Sequence, residues 1–555
     1  MKPAVSRAPA AHGTLTIDGA TGELGPEQSL FERAEALGIH VPTSCVKQGK
    51  CRECLVEVEA GAELLSEPAP QERHLEGRFR LACRTRLVAP GEVRCHTLRR
   101  GALRIETETE GLDASRLRFD PAVTRDGRHV LLDGGPLAIA DGPLHGLAID
   151  VGTTTVALRL YDLGDGRLVA THSFENPQRF GGSDIMARIR YDGEHRGKLL
   201  QRTLLGYLTR AITSLPVDPL TVYELAVVGN PTMRDLFFGL DVQPIGVMPY
   251  RSTTEAALHD GRAATTSLSV EARRLRLPVF PKARVYGLPL VGSHVGADAA
   301  ACLLATGLAE DDSLSAIVDI GTNTEALIGN RERLLAASCP AGPAFEGGGV
   351  SHGMPALTGA VERVRIADDG GAQLDVIGGG EPIGICGSGL VDLLSELRRT
   401  GRMNAQGRFA DDSHAFDLGG RLSLSEADVN ELAQAKGANA AGIRVLAETY
   451  GVPLQRVERL YLAGGFARHI DTAAARRIGL VPDLPDERIV KVGNAALLGA
   501  SMALLSRSQR AELEALVRRV EHVRLETHPS FFEFFVEGCQ LEPFGSAALQ
   551  PSAPP

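Results

Sequence analysis

The sequence predicts a multidomain α/β protein, on three observations. Its 555 residues exceed what one hydrophobic core organises, so about three folded units are expected. From Leu147 onward, apolar strands closing on glycine turns alternate with amphipathic helices, as in "HGLAIDVGTTTVALRLYDL" and "RLYLAGGFARHID", which is the texture of an α/β fold. The segments opening at Leu147 and Ala316 share one pattern: apolar strand, Asp, one apolar residue, Gly-Thr, returning strand. That echo predicts two related lobes.

Taken in order, residues 1–12 are Pro/Ala-rich and predicted to be unstructured. Residues 13–99 read as short strands around one helix. "TLTID" alternates as a strand does, and "SLFERAEALGI" places Leu30, Ala34 and Leu37 on one helical face. "CLVEVEAG" is a further strand with Leu55, Val56 and Val58 partly buried, and "GEVRCHTL" closes the unit. Residues 100–145 are polar and rich in Asp and Gly, a linker or small intermediate domain with one weak strand, "HVLLD". The α/β domain is expected over 146–545 and a frayed tail over 546–555.

Hydrophobic residues make up 43% and charged residues 23%, as in an ordinary globular chain. The net charge of −10 excludes attraction to nucleic-acid phosphates or anionic membranes as the organising force. No apolar run reaches the ~18 residues of a membrane span, and the first residues lack the apolar stretch of a secretory signal. A cytoplasmic location is therefore expected. In a reducing compartment, clustered cysteines read as metal ligands or redox groups rather than disulfides. Of nine cysteines, Cys95, Cys302, Cys339, Cys386 and Cys539 are scattered and read as small buried hydrophobes.

The other four are close together. Cys45, Cys51 and Cys54 form C-x5-C-x2-C, and Cys83 follows. A zinc ribbon prefers two separated C-x2-C pairs and only one is present, although zinc and free thiols remain alternatives. The spacing resembles that of plant-type 2Fe–2S ferredoxins, C-x4-C-x2-C with a distant fourth cysteine, with one extra residue in the first loop. The resemblance implies a β-grasp domain over 13–99 whose Cys45, Cys51, Cys54 and Cys83 hold a 2Fe–2S cluster. Cys95, inside an expected strand, is a less suitable substitute ligand.

Each echoed segment sets an Asp before a Gly-Thr turn: Asp150, Gly152, Thr153, Thr154 and Thr155, then Asp319, Gly321, Thr322, Asn323 and Thr324. Such turns aim N–H groups and hydroxyls at phosphate oxygens, and glycine permits close backbone approach. An Asp at each strand end suits Mg²⁺, which is held largely through its waters. The pair resembles the two phosphate motifs of the actin-like ATPase superfamily, whose members include sugar kinases and acetate kinase. That resemblance implies a two-lobed, ribonuclease H-like ATPase fold. "VGADAAACLLATGL" then corresponds to the first connecting helix, where Asp298 helps position the attacking water or merely caps. Gly464, Gly465 and Phe466 border the adenosine. Asn494 opens the second connecting helix, as nucleotide ligand or as helix start. Gly387 and Ser388 of "GICGSGL" contact nucleotide or form a tight packing turn. No Walker A sequence competes.

The two halves together resemble the reductive activators of corrinoid proteins, as do "ENPQRFGGSDIMARI", "VVGNPTMRDLFFGLD", "CPAGPAFEGGGVSHGM" and "GICGSGLVDLL". Val46-Lys47 stands where that family has two glycines after the first cysteine. The resemblance implies ATP-dependent passage of an electron from the 2Fe–2S cluster to a Co(II) corrinoid methyl-carrier protein, restoring Co(I) for methyl transfer as in O-demethylation. It further implies a homodimer and an upstream electron donor. The alternatives are an activator of another low-potential enzyme of dehydratase or reductase type, a metabolite kinase with a redox domain, and a nucleotide-gated scaffold.

Overall fold

The computed structural model describes residues 12–25, 28–39, 41, 43, 45, 47, 49, 51–98, 112, 116–411, 413–465 and 467–544. Their chain path divides into two units. One holds the described residues of Met1–Ala102 together with Phe174–Ile212; the other holds those of Leu103–Ser173 and Thr213–Pro555.

In the first unit, Asp18 and Gly19 both take positive φ, 47° and 82°. This lets a two-residue turn fold Gly13–Ile17 back on Ala20–Leu24. Gly13–Ile17 also runs parallel to Glu92–Thr97, which pairs antiparallel with Leu55–Ala60, and that strand with Phe79–Leu81. This mixed five-stranded sheet holds one helix, Leu30–Ala36. The helix begins in a capping box: the Glu32 N–H donates to Ser29 Oγ at 3.2 Å, and the Ser29 N–H donates to the Glu32 carboxylate at 2.8 Å. Leu30, Phe31 and Ala34 are buried, whereas Leu37, expected on that face, is the C-cap and partly exposed because the helix stops at Ala36. Leu55, Val56 and Val58 are fully rather than partly buried, and so is Glu57 between them. The segment Phe174–Ile212 belongs to the same unit, and its Arg179 pairs with Glu57 at 2.8 Å.

In the second unit, the expected weak strand is real. His129–Leu132 is the centre of an antiparallel sheet between Val123–Asp126 and Gly135–Ile139, and Val123 and Val130 are buried in the larger core. Two six-stranded sheets follow the sequence echo. In the first, His145–Val151 forms a hairpin with Thr155–Asp162 and runs parallel to Val222–Val228. In the second, Ser315–Asp319 forms a hairpin with Thr324–Gly329 and runs parallel to Arg459–Ala463. Asp150 and Asp319 thus occupy matching strand ends. Of the five scattered cysteines, Cys95, Cys302, Cys339 and Cys386 are buried as expected, while Cys539 is half-buried. Among the described residues, no helix is long and apolar enough to cross a membrane.

The helices Ala297–Thr306 and Ala495–Leu505 lie against each other, lined by alanines and Gly499. A Cβ on Gly499 would fall 2.1 Å from the Ala301 carbonyl oxygen. Only a missing side chain permits that backbone approach. Gly499→Val is therefore expected to cost about 1–3 kcal/mol through overpacking, read as a lowered Tm in thermal denaturation. An unchanged Tm would mean the helices do not meet here.

Candidate functional site

The two Gly-Thr turns meet. Thr154 Oγ1 lies 3.2 Å from Thr322 Oγ1, so the hydroxyls of the first and second turns face one space. The first turn is closed by the Gly152 N–H donating to the Thr155 carbonyl at 2.9 Å. A Cβ on Gly152 would stand 2.7 Å from the same oxygen, so glycine is needed for the turn to tighten. Thr153 is turned aside, its hydroxyl accepting from Asn230 Nδ2 at 3.1 Å. Asn230 also caps the helix Pro231–Phe238, its Oδ1 accepting from the Met233 N–H at 2.9 Å. In the second turn, Asn323 Nδ2 and Thr324 Oγ1 are buried without a hydrogen-bond partner. Unpaired buried donors are costly, and in such a turn they are the groups a phosphate oxygen would satisfy.

The acids gather beside the turns. Asp150 Oδ2 accepts from Asn494 Nδ2 at 2.9 Å, while Asn494 Oδ1 accepts from the Leu497 N–H at 2.7 Å and caps the second connecting helix. Asn494 is therefore both helix start and partner of Asp150. Asp319 Oδ2 accepts from the Cys302 thiol at 3.6 Å. Asp298 lies in the first turn of its helix and accepts the Ala299 N–H at 2.8 Å. Desolvation pushes the Asp150 carboxyl up to about 7 despite the Asn494 bond. Desolvation, with the negative charges of Asp319 and Asp150, lifts Asp298 to about 8, and desolvation lifts Asp319 to about 6 against the opposing Cys302 bond. Glu325, opposite Asp319 across the hairpin, is held well above the carboxylate range by burial and by Asp298 and Asp319. A cation relieves such repulsion. Among the described residues no three His, Cys, Asp or Glu side chains converge on one ion; two aspartates acting through water fit magnesium, which keeps much of its hydration.

Gly464, with φ +101°, stands where a Cβ would meet the Ile320 carbonyl at 2.4 Å and Asp319 Oδ1 at 3.0 Å, whereas a Cβ on Gly465 would meet nothing within 4 Å. The first is locked against the second turn; the second faces open space, as a nucleoside surface requires. Phe466 lies outside the described residues. Gly387 and Ser388 open the helix Gly387–Arg399 and are buried, with Ser388 Oγ 3.4 Å from Cys386 Sγ. A Cβ on Gly389 next to them would lie 2.3 Å from the Val361 carbonyl. These contacts are those of a packing turn, and no hydrogen bond among the described residues joins Ser388 to the phosphate turns. Two acids that no sequence motif singles out, Glu346 and Glu325, join the site. The Glu346 carboxylate accepts hydrogen bonds from both Thr154 and Thr322 hydroxyls. For Glu325, a lone acid inside an apolar strand is a readable signal.

In the first unit, Cys54 and Cys83 are buried with their sulfurs 3.3 Å apart, Cys54 donating to Cys83. That bond favours the Cys83 thiolate and, with burial, holds Cys54 protonated. Cys83 feels the charge of Cys45 and accepts the Gly49 N–H; Cys54 feels the charge of Cys51. Cys54 and Cys83 are thus in contact and each feels one further cysteine, while among the described residues no three of these side chains converge on one ion; four thiolates are the soft donors that an iron–sulfur cluster takes. Thr43 Oγ1 lies 3.8 Å from Cys51 Sγ. Arg202 donates to the Cys51 carbonyl at 3.2 Å and to the Glu53 carboxylate, gripping the ligand loop from the segment Phe174–Ile212. Lys47, where the expected pattern has glycine, takes a left-handed φ of 65°. Its ammonium offsets that strain by pairing with Glu35 and lying 5.1 Å from the Phe31 ring centroid.

Three family descriptions match consecutive stretches of the chain: "2Fe-2S iron-sulfur cluster binding domain" over 15–88, "RACo middle region" over 145–311, and "C-terminal domain of RACo the ASKHA domain" over 313–550. The chain is similar to the corrinoid activation enzyme RamQ of Eubacterium limosum, 29% identical over 583 aligned residues covering 93% of this chain and 96% of the relative. It is 24% identical to the Co(II) methylated amine-specific corrinoid protein reductase of Methanosarcina barkeri, covering 72% and 77%. A solved structure described as "Reductive activator for corrinoid,iron-sulfur protein" superposes with a TM-score of 0.70 at 28% identity, covering 96% and 98%. The chain therefore carries an iron–sulfur cluster domain and an actin-like ATP-binding domain.

Two measurements test the sites. Asp150, Asp298 and Asp319 hold their protons to higher pH when folded than in the unfolded chain, where Asp titrates near ~3.9. Between about 4 and about 8 the folded cation-free protein therefore binds more protons, and its stability falls as pH rises through that window. Chemical denaturation across this range is expected to show the decline and Asp298→Asn to flatten it; a rising curve would contradict the assignment. Cys51→Ala is expected to abolish the visible absorption of the cluster while leaving ATP affinity unchanged, and a retained spectrum would remove Cys51 from the ligand set.

Proposed function

Because this chain belongs to the RACo family, with its ferredoxin-type, middle and ASKHA regions in order, we propose that it is an ATP-dependent reductive activator. It passes an electron to a Co(II) corrinoid methyl-carrier protein and restores Co(I). The observation that carries this is the meeting of the Thr154 and Thr322 hydroxyls, one from each echoed turn, 3.2 Å apart, in a chain whose Cys54 and Cys83 sulfurs lie 3.3 Å apart. The activity in the printed names of the relatives supports it.

In this reading Cys45, Cys51, Cys54 and Cys83 hold a 2Fe–2S cluster, which supplies a one-electron donor when bound. Thr154, Thr322, Asn323 and the turn N–H groups orient the phosphates, and Gly152 and Gly321 let the backbone reach them. Asp150 and Asp319 hold Mg²⁺ through its waters, which spreads the charge of the β- and γ-phosphates. Gly464 and Gly465 back the adenosine. The pair of connecting helices forms the hinge, so the lobes close on ATP and open after hydrolysis. Cobalt reduction is uphill: a cobalt couple lying ~100 mV below the donor would cost ~2.3 kcal/mol per electron. Closure supplies that if the closed protein binds the corrinoid partner differently from the open one, since a conformational change shifts an equilibrium only by differential affinity. An upstream donor reloads the cluster, and the protein works in the cytoplasm as a homodimer.

The test mixes dithionite-reduced protein, Mg-ATP and a Co(II) corrinoid methyl carrier and follows the Co(I) absorption band. Co(I) is expected with ATP and not without it. Its absence with a cognate carrier under both conditions would refute the proposal.

A further inference from the structure

Glu346 lies where the phosphate turns meet. Its backbone is set by the short turn Ala344–Glu346, anchored through the buried Ala344 and Phe345 and through the Glu346 N–H donating to the Pro343 carbonyl at 2.9 Å. From there one carboxylate oxygen accepts from the hydroxyls of Thr154 and Thr322, one from each echoed turn. These two hydroxyls stand 3.2 Å apart across the two turns, where they would turn to the terminal phosphate when ATP binds. A carboxylate displaced from them stays beside the terminal phosphate, where its charge disfavours phosphate contact and favours a water molecule. Asp298, the residue expected to position that water, instead has its carboxylate engaged by its own helix at Ala299.

We infer that Glu346 is the catalytic base of ATP hydrolysis, released from Thr154 and Thr322 by the incoming terminal phosphate. The inference rests on the ATPase reading above. In the step, the water oxygen bonds to the γ-phosphorus, and the bond from that phosphorus to the β–γ bridging oxygen breaks. The bond's electron pair leaves on ADP, and a proton of the water passes to the Glu346 carboxylate. No redox change and no further reactant are needed. Glu346 thereby also reports that ATP is seated, since it takes the proton only after both hydroxyls have turned from it.

The test uses the full chain with Mg-ATP. Glu346→Gln keeps an oxygen that accepts from both threonines but takes no proton. It is expected to lower single-turnover phosphate release at least ~100-fold, while ATP still binds and ATP affinity rises relative to ADP because a negative charge beside the terminal phosphate has gone. Glu346→Asp, which keeps the base, is expected to recover part of the rate. A Glu346→Gln protein that hydrolyses ATP at the wild-type rate, or that loses ATP and ADP binding together, makes Glu346 a structural tie and overturns the inference. An Asp variant no faster than Gln overturns it as well. Wild-type protein that binds ATP but releases no phosphate would instead refute the ATPase reading itself, and this role with it.

Discussion

Acidic side chains drawn together without a positive partner among them are the constraint on which the second unit depends. Asp150, Asp298 and Asp319 are each recessed enough to be held above the usual carboxylate range, and Glu325 is buried behind them. Like charges in low dielectric cost free energy unless protonated or matched by a cation. The fold keeps that cost in place through connections that answer to packing. Asn494 fixes Asp150 because it also caps a helix, and that helix is placed by Gly499 lying on the backbone at Ala301. The acidic group and the contact between the two helices are thus linked through Asn494.

The same economy governs the phosphate turns. Two hairpins built on one plan place equivalent hydroxyls 3.2 Å apart, and the carboxylate of Glu346 spans them where phosphate would lie. Unpaired donors on Asn323 and Thr324 remain in the second turn. Buried unsatisfied groups of this kind are costly until a ligand pairs with them.

In the first unit, the ligand loop is held from outside its own sheet. Arg202 bonds to the backbone of Cys51, and Arg179 joins Glu57 on the neighbouring strand to Glu175. Both arginines come from residues 174–212, inside the stretch that matches the middle region of the family. The Arg179–Glu57 pair is shielded from solvent and so weakly screened by salt, whereas Arg202 beside Glu53 is 43% exposed. Lys47 shows the local cost of this loop: a long side chain in a left-handed conformation, retained with a carboxylate and an aromatic face as partners.

The sequence by itself determined the two-lobed plan, the hairpins that carry Asp150 and Asp319, the cysteine set and the helices that pack by small residues. All of these are written in local patterns: alternation, glycine at turns, fixed cysteine spacing, alanine and glycine at helical intervals. It placed Leu37 in a core that Phe31 fills, because helix length depends on where the sheet ends. It treated Asn494 as helix start or nucleotide ligand, and the structure adds a third role, its amide bonding Asp150 while its oxygen caps the helix. What only the tertiary structure decided are the partners distant in the chain: Glu346 between two threonines, Asn230 on Thr153, Arg202 on the Cys51 carbonyl and Glu325 behind the aspartates. No periodicity encodes such pairs, since each depends on how separate segments pack, and the side chains that meet there are polar groups held by a single geometry rather than by a repeating face.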